Sequence, residues 1–85
     1  MKQFSHVIKD NEGIHARPAG ELSKLVKGMD SKVTIKKGDK VANAAKVLAI
    51  MSLGAKYAQE VELIVEGGNE EANAAKLEEF MKANL

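Results

Sequence analysis

The chain has no cysteine. That absence excludes a disulfide frame and any thiolate-bound metal, so regular, well-packed elements must hold the domain in place of covalent staples. No apolar run approaches the about 20 residues needed to cross a bilayer, and membrane insertion is not expected. Met1-Lys2-Gln3-Phe4-Ser5-His6 carries neither an apolar stretch nor a small-residue cleavage site. It does not read as a secretory signal, and a cytoplasmic location is the expectation. Charge of one sign is missing too: 13 Lys and Arg face 12 Asp and Glu, for a formal net charge of +1. That balance argues against a general nucleic-acid partner. Internal repeats, linkers and low-complexity tracts are also lacking. What is present is an ordinary globular composition, 45% hydrophobic and 29% charged over 85 residues, which argues against disorder. One domain spanning 1–85 is expected. A chain this short buries only roughly 60% of its unfolded surface, so its core must be compact and a large substrate cavity is not expected.

Periodicity divides the chain into seven elements. Phe4, His6 and Ile8 alternate with Ser5, Val7 and Lys9, the period-two signature of a strand, and Asp10-Asn11-Glu12-Gly13 breaks it with turn chemistry. From Ala16 to Lys27, Ala19, Leu22, Leu25 and Val26 recur at helical spacing, with Pro18 in the first turn and Gly28 as the stop signal. Val33 and Ile35 mark a second strand, and Lys37-Gly38-Asp39-Lys40 a hairpin turn into a short third strand around Val41. A brief helix carrying Val47, Leu48, Ile50 and Met51 follows and ends at Gly54. Val61, Leu63 and Val65 alternate with glutamates as the fourth strand, and Gly67-Gly68-Asn69 breaks the chain again. The last helix runs from about Glu70 to Asn84, burying Ala74, Leu77 and Met81 with Phe80 beside them. The order β-α-β-β-α-β-α, with strands apolar on one face only, predicts an α+β fold. A four-stranded antiparallel sheet would be covered on one face by three helices.

Chemistry concentrates in Gly13-Ile14-His15-Ala16-Arg17-Pro18-Ala19. It places a histidine at the start of a helix, where the first N–H groups lack partners and favour anions. The same field disfavours imidazolium and keeps a lone pair free for attack, as nucleophilic capture of a phosphoryl group requires. A phosphorylated site would need donors, and the backbone N–H groups of Ala16 and Arg17 and the Arg17 guanidinium can supply them. A helix end is worth ~0.3–1 kcal/mol and a charge-assisted hydrogen bond ~1.5–3 kcal/mol. Those magnitudes hold a phosphoryl group without trapping it. On residue types alone, His15 is also what a cap or loop histidine looks like, and Arg17 what a surface charge looks like.

The heptapeptide resembles the active-site signature of the HPr family, the histidine-containing phosphocarrier proteins of the bacterial sugar phosphotransferase system. The resemblance extends over nearly the whole chain, through its length, its element order and Met51-Ser52-Leu53-Gly54 at the end of the second helix. It implies an open-faced β-sandwich in which His15 takes a phosphoryl group on Nδ1 from phospho-Enzyme I, itself charged by phosphoenolpyruvate. His15 would then donate to EIIA domains of sugar permeases, acting as a carrier and not as an enzyme. Arg17 matches the family's phosphate-stabilising arginine. Val47, Leu48 and Met51 match its apolar docking patch, with Ile50 and Val47 expected inward and Leu48 and Met51 outward. Lys24 and Lys27 are candidates for a positive rim, which would tune association rate. Neither a cofactor nor a metal is expected, and the state expected is a monomer.

The chain departs from the family at one regulatory position. Many members carry a serine for an ATP-dependent kinase at the start of the second helix, where this chain has Lys46. Lysine has no hydroxyl, so that switch is excluded here, and Lys46 is expected to add positive charge beside the docking patch. Gly20 and Glu21 fall on the exposed side of the first helix, and Glu21 brings a negative charge near the expected basic rim. His6 shares a strand face with Phe4 and Ile8 and reads as a partly buried structural residue. The alternatives are a paralogue of a nitrogen-related or dihydroxyacetone branch, or a regulatory binding module without phosphotransfer. Modules of that kind lack the histidine that this chain retains.

Overall fold

The period-two pattern is purest in the strand Glu60–Glu66, whose Val61, Leu63 and Val65 are buried between exposed or half-buried neighbours. In the computed structural model, which describes all residues from Met1 to Leu85, that strand lies inside the sheet. The elements are β1 (Lys2–Val7), α1 (Ala16–Lys27), β2 (Lys32–Lys37), β3 (Lys40–Asn43), α2 (Val47–Ser52), β4 (Glu60–Glu66) and α3 (Glu70–Asn84). They form one four-stranded sheet in the order β1-β4-β2-β3, with every pairing antiparallel. The expected α+β fold and element order are what the structure has.

Register follows from which side chains must be covered. Leu63 lies opposite Phe4 on one side and Ile35 on the other, and Val65 opposite Lys2 and Val33. These apolar positions face the helices. On the open face Glu62 lies opposite Ser5 and Lys36, and Glu66 opposite Lys32, so opposite charges meet where water reaches them. The helices close the other face with Ala19, Leu22 and Val26 of α1, Ile50 of α2, and Ala74, Leu77 and Met81 of α3.

Strand β1 ends sooner than alternation suggests, and the difference matters for the site. The pattern extends to Lys9, but the ladder with β4 stops at Val7. Ile8 is fully buried. Its N–H donates to the Gln59 carbonyl at 2.9 Å, and its own carbonyl accepts the Ala58 N–H at 2.8 Å. The chain thus leaves the sheet already anchored and enters the loop ahead of α1.

Two further ties set the helices in place. Ser23 Oγ donates to the Ala45 carbonyl at 2.6 Å, fastening the approach to α2 onto α1. Lys37 Nζ donates to the carbonyls of Leu53 and Gly54 at 3.3 and 3.2 Å, satisfying acceptors at the end of α2. Gly20 is half-buried, not on the exposed side as its spacing suggests, yet an added Cβ there would meet nothing within 4 Å.

Candidate functional site

The loop from Asp10 to Ile14 is shaped by short-range hydrogen bonds. Asp10 Oδ1 accepts the Glu12 N–H at 2.8 Å and its carbonyl accepts the Gly13 N–H at 3.0 Å, a turn typical of aspartate. Gly13 has φ of 69°, and a Cβ there would lie 2.4 Å from the Ala55 carbonyl oxygen. The next residue, buried Ile14, donates its N–H to that same oxygen at 3.0 Å. Only glycine lets the loop come this close to the segment after α2, and this approach delivers His15 to the start of α1.

His15 is the N-cap of α1, with extended backbone (φ −103°, ψ −175°) and no side-chain cap bond. Its carbonyl accepts the Ala19 N–H at 3.0 Å, the first bond of the helix. Pro18 is the third helical residue, buried, and brings no N–H. The N–H groups of Ala16 and Arg17 have no acceptor within the protein. The imidazole is therefore uncommitted and stands beside two open donors at a helix start.

The ring is 35% exposed and has acidic neighbours on both nitrogens: Asp10 Oδ2 lies 3.7 Å from Nε2, and Glu12 Oε2 lies 3.5 Å from Nδ1. Both distances are longer than a good hydrogen bond. Arg17 is 87% exposed, and its Nε donates to Glu21 Oε1 at 3.2 Å. Asp10, His15, Arg17, Pro18 and Glu21 border a shallow depression of about 220 Å³, completed by Ala83 and Asn84 from the end of α3. The largest hollow, about 560 Å³, is elsewhere, an open groove between α1 and α3 lined by Lys24, Leu25, Met29, Lys76 and Phe80. The functional reading follows the depression, because it holds a nucleophile and donors. The groove offers the ammonium groups of Lys24 and Lys76 but no imidazole and no open N–H groups of a helix start.

His15, the two open N–H groups, Arg17 and Pro18 come together as the spacing suggests. Leu48 is 82% exposed, Met51 also lies on the surface, and Val47 is half-buried against the core while Ile50 is fully buried. Lys46 is the exposed N-cap of α2, and Lys24 and Lys27 are exposed on α1. His6 is half-buried on the covered face opposite Val61, outside the depression, with a buried Nε2 that has no hydrogen-bond partner. Reasoning from residues missed the carboxylates of Asp10 and Glu12 and the end of α3. Asp10 and Glu12 looked like turn residues only; their positions five and three residues before the histidine were the available signal.

Comparison with known proteins agrees with this geometry. A family model described as the PTS HPr component phosphorylation site matches residues 2–83. The phosphocarrier protein HPr of Chlamydia trachomatis serovar D is 38% identical over 78 residues, covering 92% of this chain and 72% of that one. The crystal structure of HPr from Thermoanaerobacter tengcongensis superposes with a TM-score of 0.91 at 32% identity, covering 98% and 93% of the two chains. Crh of Bacillus subtilis, described as a domain-swapped dimer, superposes at 0.78 with 28% identity, covering 100% and 98%. Fold and family match together define a small phosphoryl-carrier protein and not a classical enzyme. The chain belongs to the HPr family of phosphocarriers of the phosphotransferase system.

Proposed function

We propose that this chain accepts a phosphoryl group on Nδ1 of His15 from phospho-Enzyme I and passes it to EIIA domains of sugar permeases. The Nδ1 lone pair attacks phosphorus, the bond from phosphorus to the donor's leaving atom breaks, and the imidazole proton resides on Nε2. Delivery to the next protein is the same exchange with His15 as the leaving group. The observation that carries this reading is a histidine N-cap whose ring makes no cap bond, beside the open N–H groups of Ala16 and Arg17. Each charge-assisted hydrogen bond to the incoming group is worth ~1.5–3 kcal/mol, enough to orient it and still permit release. Arg17 joins these donors by turning its guanidinium from Glu21, a motion its exposure permits.

Partners dock on Leu48, Met51 and the edge of Val47, with Lys24, Lys27 and Lys46 as a cationic rim that steers acidic surfaces. Met51 suits a surface that must fit more than one partner. The carrier acts in the cytoplasm as a monomer, without cofactor or metal. No helix is long and apolar enough to cross a membrane.

The test is phosphorylation by Enzyme I and radiolabelled phosphoenolpyruvate, comparing the wild type with His15→Ala. The wild type should take an acid-labile, base-stable label that the variant does not. An unlabelled wild type, or label retained by His15→Ala, would overturn the proposal.

A further inference from the structure

The depression around His15 carries more acidic than basic side chains. Its lining takes one carboxylate, Asp10, from the loop and Arg17 and Glu21 from α1, while Glu12, outside that lining, stands against the other side of the ring. The end of α3 adds only the neutral Ala83 and Asn84. The single cation is already bound to Glu21 at 3.2 Å. The two carboxylates at the ring differ in what they face. Asp10 lies 3.7 Å from Nε2, the nitrogen that keeps a proton when Nδ1 reacts. Glu12 lies 3.5 Å from Nδ1 itself. With the ring unmodified, that carboxylate sits against a polar nitrogen. With a phosphoryl group on Nδ1, it faces two negative charges at contact range.

We propose that Glu12 lowers the stability of the phosphorylated state, so that the group carried on His15 is released more readily than a neutral residue at this position would allow. The inference rests on Nδ1 of His15 being the phosphoryl acceptor. Its logic is differential: an interaction that is harmless in the free carrier and repulsive in the phosphorylated one shifts the equilibrium between them. Glu12 is 73% exposed, so solvent screens the repulsion and the side chain can turn partly aside. The expected effect is therefore about three- to tenfold in the transfer equilibrium, and not the much larger factor of a buried pair. Raising the tendency to give up the group suits a protein that must unload as easily as it loads.

The experiment is a competition. Equal amounts of wild type and Glu12→Gln share limiting labelled phosphoenolpyruvate through catalytic Enzyme I, and the label on each is read at equilibrium by mass spectrometry. Glu12→Gln should hold about three- to tenfold more label at low salt, and Glu12→Asp, which keeps the charge, should lie nearer the wild type. The excess should shrink at 1 M salt, where the screening length falls from about 10 Å at 0.1 M to about 3 Å, a dependence that a merely structural role would not produce. Glu71→Gln, at the far end of α3 from the depression, removes the same charge and should share label equally with the wild type. Equal sharing between wild type and Glu12→Gln, or an excess indifferent to salt, overturns the role of Glu12 alone. Absence of label from both proteins overturns the acceptor reading, and this one with it.

Discussion

Gly13 and Gly20 are separated by seven positions and place opposite demands on the chain. At Gly13 a side chain would need the left-handed region, at φ of 69°, and its Cβ would lie 2.4 Å from the Ala55 oxygen and 2.8 Å from Lys56 Cα. Left-handed geometry alone costs roughly 1–2 kcal/mol for an L-residue, and the backbone clash adds to it. Gly13→Ala should therefore lose at least about 2 kcal/mol in urea unfolding. At Gly20 a Cβ meets nothing within 4 Å, so Gly20→Ala should gain up to about 1 kcal/mol. Equal effects of the two substitutions would contradict this reading of the site loop. Single residues were unevenly legible from sequence. His15 and Arg17 stood out through the resemblance of their heptapeptide to the HPr signature, because helix-start chemistry alone equally fits a cap histidine and a surface charge. Glu12 did not, because its meaning depends on a turn folding its carboxylate back onto the ring.

At the scale of elements, the start of α3 is joined to the connection between α1 and β2 by a polar cluster that no periodicity reveals. Asn73 donates through Nδ2 to Asp30 Oδ1 and to Ser31 Oγ, both at 2.7 Å, and Ser31 Oγ donates to the Gly67 carbonyl at 2.6 Å. The Asn69 N–H reaches the Asp30 carboxylate at 3.2 and 3.3 Å. The Asn73 hydrogen bond, followed by the Asn69 backbone bond, holds the Asp30 carboxyl below its ordinary value of 3.8. A lowered carboxyl stabilises the fold above its unfolded value and loses that contribution as pH falls through its folded one. The melting temperature of the wild type should thus decline below pH 3.8 more steeply than that of Asp30→Asn. Asp30→Asn should also melt lower at neutral pH, and parallel acid profiles would exclude the link. Strand and helix positions were legible because alternating and helical burial are read from spacing alone. The end of β1 was misjudged because Ile8 continues the alternation while pairing with the segment before β4 and not with β4 itself.

The molecule as a whole buries apolar side chains under one sheet face and leaves others, on α2, exposed. One sheet face carries the helices, and the exposed apolar residues of α2 add little to the core. Leu48, at 82% exposure, should tolerate truncation. Leu48→Ala should change stability by less than about 0.5 kcal/mol while raising the KM for phosphotransfer from Enzyme I severalfold and leaving maximal turnover near the wild-type value. Unchanged kinetics would remove Leu48 from the proposed docking surface. Fold class was legible at this scale because four half-polar strands and three amphipathic helices admit few arrangements. The strand order β1-β4-β2-β3 and the end of α3 bordering the depression were not, since both arise from contacts between distant segments.

The central claim concerns one nitrogen of one ring, and the chain offers an internal control in its second histidine. Nitrogen-15 NMR of the imidazoles before and after phosphorylation by Enzyme I tests it directly. The account predicts that phosphorus bonds Nδ1 of His15, while the resonances of His6, on the covered face of β1, stay in place. A phosphorus bond at His6, or at Nε2 of His15, would contradict it.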